Sequence, residues 1–262
     1  MPCYDPSEMA THSTRQMRWG EAPELVGPRH AYRVRRLADL LRQSLPAGHI
    51  LDAGCGAGAL TELLAGSGYR VTAVEASPEF VAYVQDRVGR AVFADPVEVR
   101  AGDLERIDLG GESFDGAVCG EVLEHLADDA AAMQNIVAAL KPGGVLVLSV
   151  PARPDRYSWL DQWAGHYRRY DEESLRSLLV DAGLKIERLI LWGFPFMSLY
   201  ERFVQRPGLA RAADRGALGG LIGRAARAAL VGLGFQALFA VDRLFEGRIA
   251  NGTGFFVVAR KP

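Results

Sequence analysis

Short apolar segments separated by polar and glycine-containing turns recur along the chain, and they predict alternating strands and helices. Strands are expected at about 49–52, 69–75, 97–101, 114–119, 145–150, 185–192 and 254–259. Helical spacing predicts helices at 29–44, 59–65 and 78–88, one that ends near 140 and one that begins near 171. The fifth strand is apolar without alternation, which is typical of a central parallel strand. The pattern predicts a Rossmann-like α/β fold with a mostly parallel sheet and helices on both faces.

The N-terminal part of the chain divides into an arm and a helix. Residues 1–28 are polar and interrupted by prolines, so we expect an irregular N-terminal arm with Trp19 as its apolar anchor. In the helix at 29–44, apolar residues recur at helical spacing, and this face is expected to cover the sheet. The opposite face carries arginines that are expected to be solvated, namely Arg33, Arg35 and Arg36.

Composition and charge narrow the classes of function. The 262 residues are 49% hydrophobic, which is enough for one large domain, assigned to 29–262. A formal net charge of −2 gives no basic footprint for nucleic acid. Cys3, Cys55 and Cys119 form no even, closely spaced set, which argues against a secreted disulfide scaffold. The chain also starts without a basic-then-apolar signal pattern, so we expect a cytoplasmic protein that binds no nucleic acid.

The segment ILDAGCGAGALTELLA, at 50–65, is the centre of the predicted site. A strand ends at Asp52, glycines follow at 54, 56 and 58, and a helix begins at once. Glycine permits a sharp turn and close approach of a ligand, and the unpaired N–H groups of the helix start face that ligand. The segment predicts a nucleotide-binding loop. An ordinary glycine-rich turn and a dinucleotide-binding loop, through Gly54-x-Gly56-x-x-Ala59, stay open as alternatives.

Acidic residues stand near the ends of the next two strands. Glu75 ends the second strand and Asp103 follows the third. Because ligands of an open parallel sheet bind beyond the carboxyl ends of its strands, Asp52 and Glu75 are expected to face one crevice. A carboxylate at Glu75 can accept hydrogen bonds from both hydroxyls of a ribose. The alternative is an acid that merely stabilises the start of the next helix.

These segments, followed by SFDGAVCGEVLEHL and ALKPGGVLVLSVP, occur in an order that resembles class I S-adenosylmethionine-dependent methyltransferases. The resemblance covers about 33–193 and the last strand. It implies S-adenosylmethionine as cofactor, S-adenosylhomocysteine as product, and an antiparallel last strand beside the sixth. It also implies that Asp103 binds the adenine amino group, that Leu104 packs on the ring, and that the backbone at 119–121 borders the sulfonium. The predicted cofactor-binding residues are Asp52, Gly54, Cys55, Gly56, Glu75, Ala76, Asp103, Leu104 and Cys119.

The candidate catalytic residues lie after the fourth strand and in a later loop. The segment GEVLEHLADD carries Glu121, Glu124 and His125, and GHYRRYDEESL carries His166. This set resembles one with which ubiquinone-pathway O-methyltransferases and, more distantly, small-RNA 2′-O-methyltransferases hold a divalent ion at the acceptor hydroxyl.

Three interpretations of this set are open. A histidine is the general base for the acceptor proton, or the set binds a metal, or Glu124 and His125 are structural. We favour the first interpretation and predict His125, His166 and Glu121 as catalytic residues, with a divalent metal not favoured and no metal ligand assigned. Glu121 and His125 would share one face if a helix begins early.

About sixty residues separate the last two strands, where a hairpin normally needs only ~2–5. We expect a helical cap insertion at 194–250. The stretch at 228–241 is uncharged, but its fourteen residues fall short of the ~20 that span a bilayer. Three roles are open: a cap over the acceptor site, a homodimer surface, or a peripheral membrane contact through 217–245.

The sequence thus predicts an enzyme that methylates a hydroxyl of a small or medium acceptor, of secondary-metabolite, quinone or sugar-lipid type. Oxygen is favoured because the fourth strand ends in CGEV, and not in the Asn/Asp-Pro-Pro-Tyr segment that N-methyltransferases of nucleobases and amides often carry. Two alternatives stay open, an N- or C-methyltransferase of a small metabolite and a non-catalytic partner protein that binds the cofactor.

Overall fold

The structure, a computed structural model, describes residues 27–205, 234–235, 237–247 and 251–262. Almost all of the predicted arm at 1–28, including Trp19, lies outside the described residues. The same holds for most of the stretch at 217–245, so the predicted dimer and membrane roles of that stretch stay predictions.

A sheet of seven strands runs through the domain, and every strand lies close to its predicted position. The strands are β1 His49–Ala53, β2 Arg70–Glu75, β3 Glu98–Ala101, β4 Phe114–Gly120, β5 Leu140–Pro151, β6 Lys185–Trp192 and β7 Gly254–Arg260. Their order in the sheet is β3-β2-β1-β4-β5-β7-β6, and β7 lies antiparallel between its two neighbours. The paired strands from β3 to β5 are parallel. This topology confirms the predicted Rossmann-like fold with an antiparallel last strand.

Strand β5 begins earlier than the sequence indicated, because the KPGG segment belongs to the strand and not to a preceding turn. The Gly143 N–H donates to the Lys261 carbonyl at 2.9 Å, and the Lys261 N–H donates to the Gly144 carbonyl at 2.9 Å. Gly143 has a φ of 77°, which an L side chain rarely adopts. The C-terminal residues therefore keep this bent start of β5 paired.

The described helices include α1 Pro28–Ser44, α2 Ala59–Gly66, α3 Pro78–Gly89, α4 Asp129–Ala139, α5 Trp159–Ala164, α6 Glu172–Asp181 and α7 Phe196–Tyr200. A capping box between Asp171 and Ser174 starts α6, and the helix begins close to the predicted position near 171. Helix α4 begins only after Asp128, whose side chain accepts from the Ala131 N–H. A separate 3₁₀ turn forms at Leu123–His125. Glu121 and His125 therefore do not lie on one helix face.

Apolar residues on the two faces of the sheet form separate layers. Along β5, Leu146 and Leu148 belong to the layer that contains apolar residues of α4 and α6. The intervening Val145 and Val147 belong to the layer formed with α1, α2 and α7. Because successive strand residues point to opposite faces, this alternation buries the sheet from both sides and leaves its carboxyl edge for a site.

The prediction that the α1 arginines are all solvated is wrong for two of the three. Arg35 is exposed, but Arg36 is only 5% exposed, and its Nη2 lies 2.7 Å from the Glu246 carboxylate. Arg33 also has a largely buried side chain, and its Nη1 lies 3.4 Å from the Glu121 carboxylate. Both arginines are buried because acidic partners from distant parts of the chain lie over α1.

The described parts of the segment between β6 and β7 pack on the α1 side of the sheet. Met197 of α7 and Phe239 are fully buried in that layer. The Asp242 carboxylate accepts from the N–H groups of Phe196 and Met197, at 2.9 and 2.8 Å, and so caps α7. Within the described ranges, no helix has both the length and the apolar character needed to cross a bilayer.

Candidate active site

A cavity of about 600 Å³ opens beyond the carboxyl ends of β1, β2 and β4. One group of predicted residues lines it: Asp52, Gly54, Cys55, Gly56, Glu75, Ala76, Asp103, Leu104, Glu121, Glu124, His125 and His166. Cys119 does not line it, since its side chain is fully buried in the layer on the α4 side, where burial raises the pKa of the thiol. The next residue, Gly120, does line the cavity. The fold thus brings together all the predicted site residues except Cys119.

The glycine loop places a buried carboxylate at the floor of the cavity. Asp52 is 2% exposed and accepts a hydrogen bond of 2.6 Å from the Thr61 hydroxyl. Burial raises the pKa of Asp52 to about 6. Gly54 has a φ of 75°, and a Cβ there would lie 2.6 Å from Cγ2 of Val122. Only glycine fits at this position without a shift of its neighbours.

The Glu75 carboxylate is fixed from both sides at the end of β2. One oxygen accepts from the Gly56 N–H at 2.9 Å, and the other accepts from the Ser77 N–H at 2.9 Å. Each carboxylate oxygen has a further lone pair for a ligand. Farther along the cavity, the Asp103 carboxylate accepts from the Glu105 N–H at 3.0 Å, and Leu104 is 4% exposed.

At the other end of the cavity, two acids have opposite protonation preferences. Glu121 follows β4 with a φ of 57°, and its carboxylate lies 3.4 Å from Arg33 and 3.9 Å from Arg29. Burial alone would raise the pKa of Glu121, but the two arginines hold it below its usual value. Glu124 is fully buried, and burial together with the Glu121 charge raises its pKa well above the usual value. Neither Glu124 oxygen has a hydrogen-bond partner among the described residues.

Two histidines meet beside Glu124. His125 ends the 3₁₀ turn, and the His166 ring lies edge-on to it with centroids 4.6 Å apart. The loop of His166 is tied to this turn because the Tyr167 N–H donates to the Glu124 carbonyl at 2.7 Å. Burial, reinforced by the His166 ring, lowers the pKa of His125 to about 4. His125 is therefore a neutral imidazole at neutral pH.

The sequence indicated no site role for four charged residues that line this end of the cavity, namely Arg29, Arg33, Asp161 and Glu201. Asp161 is 1% exposed and faces both His166 and Arg169. Burial would raise the pKa of Asp161, but the hydrogen bonds from these two partners lower it. Arginines of an amphipathic helix look alike in a sequence whether they are solvated or buried. The capping-box spacing from Ser158 to Asp161 was the one available signal.

One subset of these residues has the composition of a metal site. Ligand atoms of Glu124, His125 and His166 all lie within 4.8 Å of one another. A carboxylate with two imidazoles suits several divalent ions, and the unpartnered Glu124 oxygens are consistent with a missing ligand. Glu121 is not part of this group, because it pairs with the α1 arginines.

Comparisons with known proteins agree with this architecture. Residues 51–148 match the family described as "Methyltransferase domain". One relative, a ubiquinone biosynthesis O-methyltransferase of Xanthomonas axonopodis pv. citri, is 32% identical over 201 residues, which are 70% of this chain and 82% of that protein. The chain belongs to the class I S-adenosylmethionine-dependent methyltransferases, which confirms the predicted family and cofactor.

A second relative and a solved structure are also similar to this chain. The Xanthomonas campestris pv. campestris protein of the same name is 35% identical over 150 residues, and the match spans 56% of this chain but only 61% of that relative. A solved Burkholderia thailandensis 1,6-didemethyltoxoflavin-N1-methyltransferase, with bound 1,6-didemethyltoxoflavin and S-adenosylhomocysteine, has a TM-score of 0.60 at 20% identity. The superposition covers 100% of this chain and 92% of that one. At this identity the likeness indicates the fold alone.

Proposed function

We propose that the protein transfers the methyl group of S-adenosylmethionine to a hydroxyl oxygen of a small or medium acceptor, of secondary-metabolite, quinone or sugar-lipid type. One observation carries the proposal: a single cavity joins the glycine loop and Glu75 to a half-buried pair of histidines. The relatives named as ubiquinone biosynthesis O-methyltransferases support an oxygen acceptor. The solved N1-methyltransferase shares only the fold at 20% identity, so it does not favour a nitrogen acceptor.

The cofactor end of the cavity offers acidic groups of the kinds that this ligand requires. Glu75 would accept from the ribose hydroxyls, because its carboxylate is already oriented by two backbone N–H groups. Asp103 would accept from the adenine amino group and Leu104 would cover the ring. Asp52 is a buried carboxylate that no described cation pairs with. It suits the ammonium group of the amino-acid part.

The acceptor end needs a group that takes the hydroxyl proton. When bound, S-adenosylmethionine supplies an electrophilic methyl on a positively charged sulfur. The new O–CH₃ bond forms as the S–CH₃ bond breaks, and the proton leaves the acceptor for a base. His125, with a pKa of about 4, holds a proton poorly at neutral pH. We therefore assign this role to His166, which reaches the same cavity.

A second candidate mechanism is favoured by the unpartnered oxygens of Glu124. Glu124, His125 and His166 would hold a divalent ion, which would polarise and acidify the acceptor hydroxyl. Glu124 would then be ionised and His166 would be a ligand instead of a base. The two mechanisms differ in whether a chelator stops the reaction.

The test is a product analysis with a methyl-labelled donor and a panel of phenols, catechols and sugar-lipid alcohols, with and without a chelator. We expect O-methyl product in the wild type, and a loss of about 10²–10⁴-fold in kcat for His166→Asn with unchanged S-adenosylhomocysteine binding. His49→Asn is the matched control, because His49 lies at the amino end of β1, outside the cavity. Label on nitrogen or carbon, or equal activity of His166→Asn, would overturn the proposal. Activity that falls with chelation and returns with added metal would select the second mechanism.

A further inference from the structure

One ring nitrogen of His166 has a fixed partner among the described residues. His166 Nδ1 lies 3.1 Å from Oδ1 of Asp161. The backbone supports the same contact, because the His166 N–H donates to the Asp161 carbonyl at 2.8 Å. An acid and an imidazole five residues apart are therefore joined twice across the end of α5.

The Asp161 carboxylate cannot easily turn away from this contact. Its Oδ2 accepts from the backbone N–H and the hydroxyl of Ser158, at 2.8 and 3.1 Å. Its Oδ1 also accepts from Arg169 Nε at 2.6 Å. Arg169 is itself held by the Ala152 carbonyl, at 3.2 Å from Nη1. Every oxygen of the buried carboxylate thus faces a donor that fixes its orientation.

We propose that Asp161 is a positioning residue that holds His166 as its Nδ1–H tautomer and leaves Nε2 as the lone-pair atom in the cavity. An ionised carboxylate can only accept, so the nitrogen facing it must carry the hydrogen. The other nitrogen is then free to take a proton or to bind a metal. The inference rests on the proposed function only for its consequence in catalysis, because the tautomer can be measured without any acceptor.

The neighbours of Asp161 limit the effect of its negative charge on His166. Arg169 pairs with the same oxygen that His166 faces, so the negative charge is already neutralised locally. Orientation, and not an electrostatic increase in basicity, is therefore the main effect on His166. A variant that keeps an acceptor oxygen but loses the charge should keep most of the function, whereas a variant that loses the acceptor should not.

The first measurement is the ring-nitrogen NMR spectrum of the full-length protein labelled with ¹⁵N at histidine. We expect His166 to carry its hydrogen on Nδ1 in the wild type. If His166 of the wild type carries its hydrogen on Nε2, the proposal is overturned. This result needs no variant, so the proposal can be tested even when a variant fails to fold. Asp161→Ala is expected to move the hydrogen to Nε2. Asp161→Asn is expected to keep it on Nδ1 through an amide oxygen facing Arg169, at a cost in stability because its amide NH₂ then faces the Ser158 N–H donor.

The second measurement separates positioning from stability. With an active acceptor, Asp161→Ala should lower kcat by about 10–100-fold with little change in KM. Asp171→Ala is the matched control, since it also breaks a capping box but at α6, outside the cavity. An Asp161→Ala protein with wild-type kcat would overturn the proposal and leave the proposed function intact. Failure of the wild type to methylate any acceptor, together with the expected tautomer, would refute the proposed function and leave this inference standing.

Discussion

Asp52 provides a sharp test of the proposed cofactor site, because binding of the cofactor at acidic pH must remove a proton from its carboxyl group. Its pKa is raised from 3.8 to about 6 by burial. The cofactor carries an ammonium group at the pH values of interest, and a buried carboxylate beside a cation is ionised. The proposed contact therefore requires the ionised form of Asp52, which becomes scarce below about pH 6 in the free protein.

The size of the effect follows from this pKa. At pH 5 about one tenth of Asp52 is ionised, whereas at pH 7 almost all of it is. The dissociation constant of S-adenosylhomocysteine should therefore be about tenfold higher at pH 5 than at pH 7, which equals ~1.4 kcal/mol. Calorimetric titration in buffers of different ionisation enthalpy should also detect proton release at pH 5.5.

Asp52→Asn is the control for this experiment, because the amide keeps the hydrogen bond from Thr61 but cannot titrate. The variant should bind more weakly at pH 7, and its affinity should no longer depend on pH in this range. The reasoning would be refuted by equal wild-type affinities at pH 5 and pH 7, or by an Asp52→Asn variant with the wild-type pH dependence.

The raised pKa of Asp52 also predicts that the stability of the cofactor-free protein depends on pH. An acid whose folded pKa is raised binds more protons in the folded state than in the unfolded state, between pH 3.8 and about 6. The free energy of unfolding should therefore fall as the pH rises through this window, by roughly 3 kcal/mol for Asp52. Urea unfolding of wild type and Asp52→Asn across pH 4–7 isolates this contribution, and parallel curves would contradict it.

Three further substitutions test other parts of the structure. Gly54→Ala should destabilise the protein by roughly 1–3 kcal/mol and weaken cofactor binding, because Gly54 has a positive φ and a Cβ there would meet Val122. Adding Val122→Ala to this variant should recover part of the lost free energy of unfolding, measured with urea. Arg36→Met should cost about 3 kcal/mol, because the largely buried Glu246 carboxylate would lose its cation and keep only the hydrogen bond from the Tyr32 hydroxyl. Adding Glu246→Leu should restore stability in a double-mutant cycle. Glu124→Gln mimics the protonated acid and should leave kcat near wild type, so a collapse of kcat would favour the metal mechanism.

The cofactor end was readable from the sequence because its signals are local. The glycines after Asp52 and the acid at the end of β2 sit at short, fixed distances from their strands, and the strand ends of a parallel sheet meet at one edge. The structure accordingly brings Asp52, Gly56 and Glu75 to one cavity. Cys119 is the exception, since alternation along β4 turns its side chain to the core.

The acceptor end could not be read in the same way, because its contacts join distant segments. Arg33 meets Glu121, and Arg36 meets Glu246, only after the sheet and the segment before β7 have formed. No spacing rule connects such pairs. The start of α4 at Asp129 was similarly decided by its cap, which kept Glu121 and His125 off a common helix.

The antiparallel β7 has a consequence for how this protein can change over evolution. Because β6 and β7 run in opposite directions, the end of one is paired with the start of the other, Trp192 opposite Gly254. The chain between them leaves and re-enters the sheet at one edge, near the mouth of the cavity. Doubling the length of such an excursion adds only ~0.6 kcal/mol of closure entropy. Segments of different length can therefore be exchanged at this place, while the hydrogen-bonded framework and the nucleotide pocket stay as they are.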